Sequence, residues 1–156
     1  MWRATQHSVE SSGGEPLFLG QLHGAELSRR ISTRTAEAFC RATGATYRPH
    51  PAETDIRSRL QHRLWRRKGI DIQAGGPLLD AGRPVVAMFS TGVLEAAAAG
   101  LPAWVTCVDP PRWVREFWDR YRLSPWGGEP TPRPAVPSVE PALLVAQRVR
   151  EIVGQR

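Results

Sequence analysis

The strongest strand signal in the chain is Val85-Val86-Ala87-Met88-Phe89, which ends abruptly at Ser90-Thr91-Gly92. A continuous apolar run is typical of a strand whose sheet is covered by helices on both faces. The alanine-rich segment from Val93 to Ala99 then predicts a helix that can pack closely on the sheet, and Gly100-Leu101-Pro102 ends it. A buried strand joined directly to a helix is the repeating unit of a parallel α/β sheet.

The same alternation extends outward in both directions. Further strands are predicted at residues 16–20, 45–48, 70–72 and 103–108, and further helices at about 32–43, 54–68 and 111–121. Two apolar stripes are expected to face the core, namely Ile56, Leu60 and Leu64 on one helix and Trp113, Phe117 and Tyr121 on another. The pattern predicts a single Rossmann-like parallel sheet of about five strands, with helices on both faces.

With 156 residues, the chain has the usual size of one domain, and 41% hydrophobic residues are enough for a packed core. We expect a flexible N-terminal segment over 1–15 and the Rossmann-like domain over 16–123. A loop rich in Pro and Gly follows over 124–141, and a C-terminal helix over 142–156. A brief helix is also predicted around Leu78-Leu79-Asp80.

The net charge of +6 suggests an anionic partner, but 20 of the 21 basic residues are arginine, as GC-rich coding would also give. The basic run between Arg57 and Lys68 is either a solvated helix face or a contact for an anionic acceptor. No recognised nucleic-acid module is present, so a nucleic-acid partner is not predicted. Cys40 and Cys107 lack metal-ligand spacing, so no metal site is indicated.

No apolar run approaches the ~20 residues that a membrane span needs, and residues 1–10 lack the apolar centre of a signal peptide. These features predict a cytoplasmic location without a membrane span, and peripheral contact with a membrane surface stays open.

Ligands of parallel α/β sheets bind beyond the carboxyl ends of the strands. Three conspicuous loops occupy that position: Gly20-Gln21-Leu22-His23-Gly24, His50-Pro51-Ala52-Glu53 and Ser90-Thr91-Gly92. In the third loop, hydroxyls and free N–H groups of a helix start converge where an anion is favoured. Ordinary N-capping is the alternative there. His50 is fixed between two prolines, which suits a donor aimed at phosphate, although a structural or exposed histidine is the alternative.

Two of these segments resemble motifs of a known group of enzymes. Residues 47–53 and 89–92 are similar to the HP and S/T motifs of bacterial sialyltransferases and polysialyltransferases, which have the GT-B fold. The resemblance implies that His50, Ser90 and Thr91 contact the phosphate of a CMP-sialic acid donor. It also implies that the chain is the donor-binding half of a GT-B fold.

A second, shorter resemblance covers residues 91–102, which are similar to a pattern in other GT-B glycosyltransferases and in sugar epimerases of that fold. There the glutamate binds ribose hydroxyls, which implies this role for Glu95. Residues 17–21 resemble the opening strand and loop of the same domain. The implied substrate-binding set is Gly20, Gln21, His23, His50, Pro51, Glu53, Ser90, Thr91, Gly92 and Glu95.

These resemblances imply binding of a CMP- or UDP-linked sugar for transfer to a saccharide acceptor, with His50 as the catalytic residue and with neither metal nor cofactor. GT-B enzymes use two Rossmann-like domains, and this length leaves room for one. Enzyme activity of the isolated chain is therefore an open question. The alternatives are a nucleotide-binding subunit that needs a separate acceptor-domain protein, a truncated fragment, and half of a sugar-epimerase-like fold.

Overall fold

The computed structural model describes residues 14–78 and 82–135. It contains four parallel strands in the spatial order β2-β1-β3-β4. The strands are β1 (Leu17–Leu19), β2 (Thr46–Arg48), β3 (Val85–Ala87) and β4 (Ala103–Val105). The predicted Rossmann-like α/β fold with a single parallel sheet is confirmed.

Each edge of the sheet carries one further bridge. Ile72 pairs with Tyr47 of β2, and Pro125 pairs with Val105 of β4, both in the parallel sense. The strand predicted at 70–72 is therefore reduced to a single bridge, so the sheet of the described residues has four strands where about five are predicted. With both bridges counted, the chain crosses the sheet in the order of a doubly wound Rossmann sheet.

In the described part of the chain, four helices accompany the strands: α1 (Arg29–Thr43), α2 (Ile56–Arg67), α3 (Gly92–Ala98) and α4 (Arg112–Tyr121). The side chain of Ser28 accepts a bond from the N–H of Ile31 at the start of α1, and Asp55 does the same for Ser58 at the start of α2. Gly44 ends α1 in the left-handed conformation, with φ 73°, as its position after the helix predicts.

The helices cover both faces of the sheet. Helices α1 and α2 pack around Phe18, Tyr47 and Val86. Helix α3 packs on the opposite face, against Val85 and other small apolar residues of β3 and β4. A Cβ atom at Gly92 would lie 2.6 Å from Leu19 Cδ1, so glycine is what allows α3 to approach β1 so closely.

The rotation of α2 differs from the prediction. Ile56, Leu60 and Leu64 are 67%, 56% and 45% exposed, so this stripe does not face the core. The buried residues are Ser58, His62 and Trp65, and each has a polar partner. Turning these three inward buries the large indole and satisfies its N–H, which outweighs the burial of smaller aliphatic side chains.

The aromatic stripe of α4, which is predicted to face the core, also lies mostly outside the core. Trp113 and Tyr121 are 36% and 43% exposed, and Phe117 is half-buried. Val114 is the buried residue of this helix. The indole N–H of Trp118 donates to the carbonyl of Met88 at 2.6 Å, which fixes α4 beside the end of β3.

Several predicted segments lie wholly or mostly outside the described residues: the N-terminal segment 1–15, the C-terminal helix 142–156 and the brief helix at 78–80. The described part of the 124–141 loop includes the bridge at Pro125. Among the helices of 14–78 and 82–135, none combines the length and the apolar character that crossing a membrane requires.

Candidate functional site

The loops after β1, β2 and β3 lie side by side at the carboxyl ends of the strands, which we call the carboxyl edge of the sheet, because the strands are parallel. Strand β1 lies between the other two. After β1 the chain turns into α1 on one face, and after β3 it turns into α3 on the opposite face. The sheet therefore has its topological switch point between β1 and β3, where α/β folds bind ligands.

Two histidines meet at this edge. The imidazole rings of His23, after β1, and His50, after β2, are stacked with centroids 3.8 Å apart and planes 18° apart. Both side chains are exposed. Two predicted site residues from separate loops are thus brought into direct contact.

The protonation of His50 follows from its surroundings. Its Nδ1 accepts a bond from the N–H of Ala52 at 3.1 Å, so the neutral ring carries its proton on Nε2. Although His50 is exposed, partial desolvation of its ring where it stacks on the loop is the larger cause that lowers its pKa; the neighbouring His23 adds to this, and Glu53 opposes it only in part. At neutral pH the ring is therefore mostly uncharged and presents Nε2–H as a donor.

Glu53, a predicted substrate contact, is buried beneath the histidine pair. Its carboxylate accepts bonds from the N–H groups of Leu22 and His50 and from the hydroxyl of Tyr47, and it contacts His62 Nε2 at 3.0 Å. Protein groups occupy both oxygens of Glu53, and through these bonds the side chain ties the loop after β1 to the loop after β2. The contact of Glu53 with a ligand stays a prediction.

Gly20 belongs to the same arrangement. A Cβ atom at this position would lie 2.6 Å from Glu53 Oε1 and would also clash with the hydroxyl of Tyr47. Gly20 is itself buried. Its absent side chain leaves room for the Tyr47–Glu53 pair, so its role in the site is indirect. Pro51 is exposed in the turn that carries His50.

The loop after β3 is connected to the histidine loops by Gln21. Its side-chain oxygen accepts a bond from the N–H of Phe89 at 3.0 Å. Ser90 Oγ accepts a bond from the N–H of Gly92 at 3.1 Å, whereas Thr91, the residue at the N-cap position of α3, makes no side-chain capping bond. Thr91 and Glu95 are exposed, and Gly92 is buried.

The order of the strands limits how one phosphate could lie between His50 and the Ser90 loop, as the sequence predicts. Since β1 separates β2 from β3, the two loops start about two strand spacings apart, roughly 10 Å. His23 lies between them in the strand order and is the residue that His50 contacts. Helix α3 is also only 7 residues long, so its dipole contributes little.

A cavity of about 290 Å³ opens at the switch point, at the small end of the ligand-pocket range. It is lined by Gln21, His23, Gly24, Glu26, Phe89, Trp113 and Phe117. The rings of Phe89 and Trp113 meet edge to face, with centroids 5.0 Å apart. One wall of the cavity is therefore polar and the other aromatic.

Comparison with known protein families, with curated proteins and with solved structures gives no match for this chain. Within residues 14–78 and 82–135, no cluster of three His, Cys, Asp or Glu side chains is arranged to hold a metal ion.

Sequence reasoning missed the aromatic wall and Glu26. Trp113 and Phe117 were assigned to the core because their spacing matches one helix face. The available signal was the start of α4 directly after the loop that follows β4, since a helix start after a strand lies at the carboxyl edge. That signal was not sufficient, because it does not show which strand β4 pairs with.

Proposed function

We propose that this chain is the donor-binding domain of a glycosyltransferase, and that it binds a nucleotide-activated sugar at the carboxyl edge of its sheet. The observation that carries the proposal is the stacked His23–His50 pair beside a cavity at the switch point. Two imidazoles side by side offer N–H donors to an anion, and an aromatic wall suits a nucleoside base.

In this proposal, His50 donates from Nε2 to the phosphate of the donor and stabilises the negative charge that develops as the glycosidic bond breaks. His23 contributes a second donor. The hydroxyls of Ser90 and Thr91 contact the far side of the phosphate or the sugar, since about 10 Å separates the loop starts. Glu95 is assigned to the ribose hydroxyls, and Phe89 and Trp113 to the base.

The same site would also serve a nucleotide-binding subunit that becomes active only with a separate acceptor-domain protein, or half of an epimerase-like fold. Turnover of a CMP- or UDP-linked sugar by the isolated chain would exclude the subunit alternative. Turnover that appears only on mixing with an acceptor-domain protein would favour it. Among the two donor classes, we favour CMP-linked over UDP-linked sugars, because His50-Pro51 resembles the HP motif of sialyltransferases.

Isothermal titration with CMP, UDP and GDP tests the proposal. We expect binding of CMP or UDP at millimolar concentration or tighter, and at least about tenfold weaker binding by His50→Ala, since a charge-assisted bond contributes about 1.5–3 kcal/mol. Thr91→Ala should also weaken binding. Thr33→Ala, which removes the same hydroxyl from α1, is the matched control and should bind as the parent does.

Absence of binding by all three nucleotides at millimolar concentration would overturn the proposal. Equal affinity of the parent and His50→Ala would instead move the nucleotide away from the histidine pair.

A further inference from the structure

The outer faces of α1 and α2 form one continuous surface. Both helices pack on the same face of the sheet, and the residues opposite their buried sides point away from it. On α2 this outward line consists of Ile56, Leu60 and Leu64, which follow at intervals of four and are about half exposed or more. The fold of the domain itself therefore leaves a large part of each of these aliphatic side chains in water.

Arginines surround this apolar line. Helix α2 carries five exposed arginines and no acidic residue: Arg57, Arg59, Arg63, Arg66 and Arg67. Four arginines of α1, Arg29, Arg30, Arg34 and Arg41, line a groove of about 950 Å³ that reaches Gln61 of α2. We refer to this combination of the apolar line and the arginines of both helices as the α1–α2 face.

The acidic residues near this face are already engaged. Glu37 pairs with Lys68 and accepts a bond from the indole N–H of Trp65. Asp55 caps α2 through Ser58 and lies 3.8 Å from Arg29, and Asp109 pairs with Arg34 at 3.5 Å. The arginines of the two helices outnumber these carboxylates, so the face is cationic along both helices, with an apolar line on α2.

We propose that the α1–α2 face docks on an anionic phospholipid surface. The partner must supply negative charge and hydrocarbon within the reach of neighbouring side chains, and a bilayer does so because its phosphates lie directly above its acyl chains. A second copy of this chain would bring arginine against arginine. A nucleic acid would pair with the arginines but leave Ile56, Leu60 and Leu64 in water.

Helix α2, with 12 residues, is about 18 Å long and lies parallel to the bilayer in this arrangement. The three aliphatic side chains enter the boundary between head groups and acyl chains. The guanidinium groups on either side bind phosphate oxygens in the forked geometry that arginine favours. The surface is separate from the histidine pair, so this inference stands or falls independently of nucleotide binding.

Vesicle sedimentation of the full chain tests this inference. We expect binding to phosphatidylcholine vesicles that contain about 30% phosphatidylglycerol, and little binding to pure phosphatidylcholine. Leu60→Gln with Leu64→Gln should weaken partitioning by at least about tenfold. Arg63→Glu with Arg67→Glu should do the same, because each basic residue near the surface contributes to attraction.

Matched controls lie on α4, away from this face. Tyr121→Gln replaces another half-exposed hydrophobic residue, and Arg115→Glu with Arg120→Glu makes the same charge change as the α2 pair. Both should bind as the parent does. Circular dichroism checks that each variant is folded. If the Leu60→Gln, Leu64→Gln variant does not fold, the Arg63→Glu, Arg67→Glu variant still tests the inference.

Three outcomes would overturn the inference. The first is the absence of parent binding to anionic vesicles. The second is binding that the α4 charge pair weakens as much as the α2 pair, since the attraction would then depend on net charge alone. The third is a dimer in light scattering that the leucine pair abolishes while vesicle binding is unchanged, because the occupant would then be a second copy.

Discussion

Glu53 shows how one buried side chain organises the candidate site. Burial by itself would raise the pKa of its carboxyl, but the bonds from His62, Leu22, His50 and Tyr47 together outweigh it, so the pKa of Glu53 lies below its ordinary value. The carboxylate is therefore ionised at neutral pH. The same environment raises the pKa of the Tyr47 hydroxyl, through burial first and the adjacent carboxylate second, so Tyr47 remains a donor.

We expect Glu53→Gln to destabilise the protein by about 1–3 kcal/mol at neutral pH, because a neutral amide brings a donor among donors. The parent should also lose stability in acid. A lowered folded-state pKa contributes stability above the unfolded value of about 4.3, and this contribution is lost as the pH falls through the folded value.

Urea unfolding over a pH series measures both effects of Glu53→Gln. The variant should show a flatter acid profile than the parent, and Glu95→Gln, at an exposed site, should follow the parent. Parallel acid profiles for the parent and Glu53→Gln would contradict this explanation.

The sequence indicated that Glu53 lies at the site but not what it does there. Its position after a predicted strand placed it at the carboxyl edge, which is correct. Its burial depends on the side chains of Tyr47 and His62 and on the N–H of Leu22, a residue in another loop. Such non-local contacts are not visible in a single sequence, in which an acidic residue near a motif indicates a ligand contact.

At the scale of elements, α2 shows that a helical pattern can predict the existence of a helix without predicting which of its faces is buried. Its existence followed from the periodicity and from Gly69, and the structure agrees within two residues at each end. Its rotation did not follow, because two faces of the helix carry large hydrophobic side chains. Trp65 faces inward and Leu60 outward, and only contacts with the sheet and α1 decide between them.

This rotation predicts an unequal response to truncation along α2. Trp65→Ala should destabilise the protein by about 3–5 kcal/mol, because it empties a fully buried volume and leaves Glu37 without the indole N–H. Leu60→Ala and Leu64→Ala should each change stability by less than about 0.5 kcal/mol. Denaturant unfolding of the three variants measures this, and a large loss at Leu60 would mean that the helix is turned the other way.

At the scale of the whole molecule, the sequence predicted the class of fold and the edge that carries the candidate site. Alternating strands and helices are sufficient for a parallel sheet, because right-handed crossovers leave few arrangements. The spatial order of the strands required the structure. That order places β1 between His50 and Ser90, and it brings His23 against His50.

Ligand binding should be visible in the stability of the entire domain. If CMP occupies the proposed site, it should raise the midpoint of thermal unfolding. At a CMP concentration 100 times its dissociation constant, the free energy of unfolding should increase by about 2.7 kcal/mol. The increase should be larger near pH 6 than near pH 8. The pKa of free His50 is lowered by partial desolvation and by His23, and a bound phosphate favours its protonated form, so binding takes up a proton.

Differential scanning fluorimetry with and without CMP at both pH values measures this stabilisation. A shift that is independent of pH, or that is larger at the higher pH, would contradict a phosphate beside the imidazole.

The two single bridges at the borders of the sheet have a consequence for how other molecules can attach. An open border strand presents a row of unpaired N–H and C=O groups, which is a template for strand addition and for aggregation. Ile72 covers part of the β2 border, and Pro125, which has no N–H to offer, covers part of the β4 border. Recruitment through an added strand is therefore disfavoured along the parts of the two borders that these bridges cover.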